Sequence, residues 1–254
     1  MLLVVMLLLR DRDPLTSPTN ARASTSQAET LDATVAEQPE LGERHQFTYQ
    51  QWIAVLEQEA AAAIAKPPDR LDILAGDSLS LWFPADLLPT DRSWLNQGIS
   101  GEISAGLLSR LSIFDRTSPR AIFVMIGIND LIRGIGEETV LANQRLIVRR
   151  LKRSHPEAQI VLQSILPHGG EKSSWEGRDR LLLIPNPRIR DLNHRLAIIA
   201  QKEEVLYLDL HEIFADANGN LRLDLTTDGL HLNYQGYLVW RSALQVFSQL
   251  ELDG

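Results

Sequence analysis

ILAGDSLSLW, residues 73–82, is an apolar run that breaks at Gly76, Asp77 and Ser78 and then resumes in residues that suit a helix. A short, unbroken apolar run reads as a strand buried on both faces. Others follow: AIFVMI at 121–126, AQIVLQSI at 158–165 and VLYLDL at 205–210, with a weaker run, SWLNQG, at 93–98. Helical patterns lie between them at 101–113, 137–153, 188–202 and 234–249. Parallel strands need crossovers and helices provide them, so the alternation predicts an α/β fold with a parallel five-stranded sheet covered by helices.

The composition agrees with one sizeable globular unit. Of 254 residues, 44% are hydrophobic and 23% charged, and the net charge of -8 leaves no basic stripe to neutralise phosphates, so a nucleic-acid partner is not expected. RRLKR at 149–153 falls on a helical pattern and reads as a solvated face. There is no cysteine, which excludes disulfides and thiolate chemistry without choosing a compartment.

The N-terminal part reads differently. LLVVMLLL at 2–9 is far shorter than the roughly 20 residues of a membrane helix and has no Lys or Arg before it. Ala21, Arg22 and Ala23 have the small-x-small form of a cleavage site but follow a long polar stretch, so a cytoplasmic location is favoured over export or an N-terminal anchor. From Arg10 to about Gly42 the composition is that of a disordered tail. Residues 1–44 are therefore expected to be an apolar start and a tail. Residues 45–254 are expected to form the folded domain, with a helix over 46–65 ended by Pro67 and Pro68 and a core spanning 71–250.

Ligands of parallel α/β sheets bind beyond the carboxyl ends of the strands. There the sequence sets Gly76, Asp77, Ser78 after the first strand, NQGISGE ending in Gly101 and Glu102 after the second, and Gly127, Ile128, Asn129, Asp130 after the third. Singly, each suits a tight turn or a helix cap. Near the C-terminus, TTDGLHLNYQGY places Asp228 three residues before His231. That spacing lets the carboxylate hold the imidazole Nδ1 and leaves Nε2 to take the proton of a serine hydroxyl, for which Ser78 is the candidate. The backbone N–H groups of Ser78 and Gly101 and the Asn129 amide would then serve as oxyanion donors, provided their strands are neighbours.

GDSLS at 76–80, NQGISGE at 96–102, IGIND at 126–130 and DGLH at 228–231 together resemble the four blocks of the GDSL, or SGNH, hydrolases, in the family's order. The resemblance implies a flavodoxin-like three-layer α/β/α sandwich and a serine esterase. It puts the nucleophile on Ser78, the acid and base on Asp228 and His231, and oxyanion donors on Ser78, Gly101 and Asn129. Within the family, ISGE, VLQSILPHG at 161–169 and HLNYQGY look most like the platelet-activating-factor acetylhydrolase and lysophospholipase branch. The implied partner is a small-molecule ester with a short acyl chain, a lysolipid or an acetylated sugar, and a transient contact with lipid is compatible with it. The chemistry requires no metal and no cofactor. No residue pattern decides the oligomeric state.

Other readings fit less of the chain. A dinucleotide site needs a G-x-G-x-x-G turn that AGDSLS does not supply. An Asp77 nucleophile would require further carboxylates for magnesium, where the rim offers Asn129 and His231. Asp216, Asn218 and Asn220 imitate a calcium loop but read as a β-turn at Asn218 and Gly219. A non-catalytic ester-binding module remains as the alternative of another class. Asp77 and Asp130 are expected to be structural. Trp82 and Trp175 are candidate substrate walls, the latter in the long connection 166–187.

Overall fold

The computed structural model describes residues 47–253; the expectations for residues 1–44 fall outside these. Helix α1 (Tyr49–Ala65) starts three residues later than the sequence pattern suggests, because Thr48 and Gln51 form a capping box. Gln51 N–H donates to Thr48 Oγ1 (3.3 Å) and Thr48 N–H to Gln51 Oε1 (2.7 Å), two bonds that fix where the helix begins. The strands are β1 (Leu71–Gly76), β2 (Ser93–Gly98), β3 (Ala121–Met125), β4 (Gln159–Gln163) and β5 (Leu206–Leu208). The remaining helices are α2 (Ser78–Leu81), α3 (Ser104–Arg110), α4 (Ile128–Ile132), α5 (Glu137–Ser154), α6 (Arg178–Leu182), α7 (Asn186–Lys202), α8 (His211–Phe214) and α9 (Tyr234–Phe247).

The predicted helix over 101–113 is divided. Residues 99–102 form a turn, closed by Glu102 N–H on Ile99 C=O (3.2 Å), in which Gly101 has φ +73°. A left-handed residue cannot sit in an α-helix, so α3 begins only at Ser104 and ends in a 3-10 turn, Leu111–Phe114.

All strand pairs are parallel and the order is β2-β1-β3-β4-β5, the flavodoxin-like order. Side chains alternate between two apolar layers. Ile73, Ala75, Ile122, Val124, Ile160 and Leu162 point to one layer, where α1, α3, α5 and α7 contribute Ala60, Leu107, Ile147 and Ile189. Leu74, Phe123, Met125 and Val161 point to the other, where α2, α8 and α9 contribute Leu79, Phe214 and Trp240. Burial on both faces is the physical reason these strands read as unbroken apolar runs.

The order matters because β2, β1 and β3 are neighbours, with Gly76 opposite both Gly98 and Met125. The turns leaving these three strands therefore emerge side by side. Their approach is close at Gly76, where an added Cβ would stand 2.2 Å from the Met125 carbonyl oxygen. Gly76→Ala must push backbone apart and is expected to lose about 1–3 kcal/mol, the usual cost of overpacking, in urea unfolding.

Candidate active site

Ser78 is the first residue of α2, directly beyond β1, and is nearly buried. Asp77 caps this short helix, its Oδ1 accepting from Leu79 N–H (3.0 Å). Gly101 lies in the turn after β2, and Asn129 is the second residue of α4 after β3. Asn129 is half-buried, and its Nδ2 is shielded from solvent without a hydrogen-bond partner. Among the described residues the backbone N–H groups of Ser78 and Gly101 also have no acceptor.

Asp228 and His231 meet as their spacing predicts. Asp228 Oδ2 is 2.8 Å from His231 Nδ1, while Oδ1 accepts the backbone N–H of Leu230 (2.9 Å) and of His231 (2.8 Å). Burial works against the Asp228 carboxylate, but the His231 ring and the two N–H groups outweigh it and hold its pKa below the ordinary range. The loop is pinned from outside: Gly169 N–H donates to Gly229 C=O (2.7 Å), and Ser174 and Trp175 N–H donate to Asp228 C=O (2.8 and 2.9 Å). The connection 166–187 thus acts as a clamp on the acid loop. The Trp175 ring packs against the core and carries the Arg180 guanidinium 5.4 Å from its centroid.

Trp82 joins the two halves of the site. Its backbone N–H donates to Ser78 C=O (3.0 Å), and its ring lies 4.1 Å from the His231 ring at an interplanar angle of 34°. The Tyr237 hydroxyl, one turn into α9, adds a buried bond to Leu79 C=O (3.1 Å). The Ser78 hydroxyl makes no hydrogen bond among the described residues, to His231 or to any other group. An apolar cavity of about 560 Å³ between β5 and α9, lined by Leu208, Leu238, Val239 and Phe247, contains none of these polar groups. Chemistry rather than cavity size singles out the strand rim.

Residues 74–239 match the model of the GDSL-like Lipase/Acylhydrolase family. The chain belongs to this family. Its domain is that of an ester hydrolase. Platelet-activating factor acetylhydrolase IB subunit alpha1 of Bos taurus is 27% identical over 150 residues, covering 56% of this chain and 58% of that protein. N-acylneuraminate cytidylyltransferase of Streptococcus agalactiae is 25% identical over 178 residues, 69% of this chain and 38% of that protein. The chain thus spans between about two fifths and three fifths of the length of these curated relatives. A solved structure from Streptococcus pneumonia, named for platelet activating factor, superposes with a TM-score of 0.69 at 24% identity, covering 78% of this chain and 93% of that one, a likeness of fold.

Other residues, several of them buried, build this GDSL-like domain's rim, and Asp130 among them was expected to be structural. Arg110, at the end of α3, is buried with Glu102; its Nε donates to Glu102 Oε2 and its Nη2 to the carbonyls of Gln97 (2.8 Å) and Gly76 (3.4 Å). Asp130 is wholly buried and accepts both the N–H and the hydroxyl of Ser104, tying α4 to α3. Arg133 donates to Gly101 C=O (2.6 Å) from solvent. Asn193 and Asn186 on α7 pair with both backbone groups of Ile165 and His168, replacing the sheet partner that the chain loses beyond β4. The seven-residue spacing of the two asparagines, which puts them on one helix face, is a signal that could have exposed the last pair.

Asp77 differs from the other buried acids. Its Oδ2 has no hydrogen-bond partner, and burial, with the nearby charges of Asp130 and Glu102, pushes its pKa from 3.8 to about 7. A raised folded-state value means that the native protein keeps a proton the unfolded chain gives up. Stability from this group is therefore full below about pH 4 and falls as pH rises through 7. Asp77→Asn is expected to remove that fall. Between pH 5 and 8 the natural protein should lose on the order of 3 kcal/mol more than the variant in urea unfolding.

Proposed function

We propose that the protein is a serine esterase acting on carboxylic esters, with short-acyl, lysolipid or acetylated substrates as its class. The observation that carries the reading is the Asp228–His231 hydrogen bond of 2.8 Å, in a loop joined through Trp82 to a serine at the end of β1. Asp228 orients Nδ1–H toward itself, so Nε2 is the basic nitrogen. Ser78 Oγ attacks the ester carbonyl carbon while His231 Nε2 takes the hydroxyl proton. The carbonyl electron pair moves onto oxygen, where the N–H groups of Ser78 and Gly101 and the Asn129 amide receive it.

The tetrahedral intermediate then collapses. His231 returns its proton to the leaving alcohol, and an acyl-Ser78 ester remains. Water repeats the cycle: His231 takes its proton, hydroxide adds to the acyl carbon, and Ser78 leaves with the proton restored to Oγ and the acid released. The unpaired, shielded Asn129 Nδ2 supports its place in this scheme, because a donor that finds no partner in the protein is available for a charge that exists only during reaction. Asp228, held in its charged form, is suited to stabilise the imidazolium that forms in each half-reaction. Trp82, against the His231 ring, is the better placed of the two tryptophans to form a substrate wall.

Hydrolysis of p-nitrophenyl esters of increasing acyl length tests the reading and reports the acyl preference together. Ser78→Ala and His231→Ala are expected to abolish turnover. Asn129→Ala should lower kcat on the order of a hundredfold or more with the fold intact by circular dichroism. Turnover by Ser78→Ala equal to the natural protein would remove the serine mechanism, and a binding module of the same fold would take its place.

A further inference from the structure

An oxyanion donor is useful only if its direction is fixed, and Gly101 sits where direction is easily lost. With an i to i+3 bond from Ile99 to Glu102 and φ +73° at its third position, the turn at 99–102 is of type II. Type I and type II turns differ by a flip of their central peptide, here the one between Ser100 and Gly101. That flip reverses the Gly101 N–H, and glycine offers little resistance to it. The turn must be held from outside.

Helix α1 reaches it in three ways. The Tyr49 hydroxyl donates to Glu102 Oε1 (3.1 Å), on the residue that follows Gly101. Leu56 C=O accepts from the Gln97 amide (3.4 Å), near the end of the strand that leads into the turn. Trp52 and Leu56 bury Ile99, the first residue of the turn, in a small apolar cluster against which Leu81, the last residue of α2, also packs. Every one of these α1 residues precedes residues 74–239, the part of the chain that matches the family.

We infer that α1 is a positioning element of the site: by seating Ile99 and Glu102 it fixes the direction of the Gly101 N–H, so that catalysis in this chain depends on a helix outside its family-matching segment. The inference rests on the reading of Gly101 as an oxyanion donor. It is separate from stability, because a helix that merely covered the sheet would affect folding and leave kcat alone. Displacement of a reacting group by about 1 Å can cost on the order of a hundredfold in rate, so partial loss of the seat should be visible.

The test uses the full chain and two substrates, p-nitrophenyl acetate and its thiono analogue, whose carbonyl sulfur is a poor hydrogen-bond acceptor. Turnover of the acetate by the natural protein above Ser78→Ala comes first; without it the serine reading itself fails. Given that turnover, Trp52→Ala is expected to lower kcat on the acetate about tenfold or more with KM within about twofold. The rate on the thiono ester should fall much less, and Trp52→Phe should restore most of kcat. Leu151→Ala is the control: Leu151 is fully buried in the last turn of α5, which leads into the start of β4 at the opposite end of the sheet. It should lower Tm comparably and leave kcat unchanged. Equal kcat in folded Trp52→Ala and Leu151→Ala, or equal losses on both esters, overturns the inference. Where Trp52→Ala does not fold, Tyr49→Phe decides. A two- to tenfold lower kcat on the acetate supports the role, and a natural value overturns it.

Discussion

Beneath the strand rim, one buried guanidinium touches the chain at three places that have to stay in register. Arg110 bonds the carbonyl of Gly76, two residues before Ser78, the carbonyl of Gln97, four before Gly101, and the carboxylate of Glu102, one after it. Each ion withdrawn from water costs several kcal/mol, so such a pair is a weak source of stability. Its geometric effect is stronger. A guanidinium is planar and carries its donors at fixed angles, so its acceptors cannot shift independently. Glycines at 76, 98 and 101 leave this stretch of backbone without stiffness of its own, and Arg110 supplies it from beneath.

The order of the sheet then sets what lies around that point. With β1 between β2 and β3, the chain reverses direction across the sheet at β1, and the loops leaving the three strands separate and open a crevice. A closed loop from the far end of the sequence fills one side of it. Thr226 pairs with Leu232 across that loop, Asn233 caps α9 immediately after it, and Tyr237 bonds α2, so the segment that bears His231 is tied to the helix that Ser78 begins. The connection 166–187 packs behind this loop and donates three N–H groups to the carbonyls of Asp228 and Gly229. A long connection that looked free to shape a pocket is largely committed to holding the acid loop in place.

What could be read in the sequence follows from how local each signal is. The strands were legible because burial on both faces forces unbroken apolar runs, and the Asp228–His231 contact because three residues span it. Helix α1 was legible in its composition, although its start was set by one reciprocal cap at Thr48 and Gln51. The division of 101–113 was missed because the positive φ of Gly101 depends on a turn bonded across to Arg133 and α1, and helical periodicity does not report it. Arg110 was invisible for a similar reason. An arginine at the end of a helix ordinarily faces water, and only the fold brings Gly76 from 34 positions away.

Three carboxylates, on Asp77, Glu102 and Asp130, are buried around this rim, and all three are pushed above their ordinary pKa by burial. They are not equally compensated. Arg110 and the Tyr49 hydroxyl serve Glu102, and both polar groups of Ser104 serve Asp130, pulling each partway back. Asp77 has no side-chain partner: only backbone N–H groups, Leu79's and its own, work against burial and the repulsion of the other two. An acid placed there for stability alone would be better replaced by a neutral acceptor, since a helix cap needs only one oxygen. The Asp77 carboxyl gives one oxygen to Leu79 N–H and leaves the other shielded without a partner, so the proton it keeps near neutral pH lowers the cost of burying it. The residue before Ser78 is therefore held at a cost in stability that grows with pH, a local conflict of the kind found where a fold gives up stability to keep a site in place.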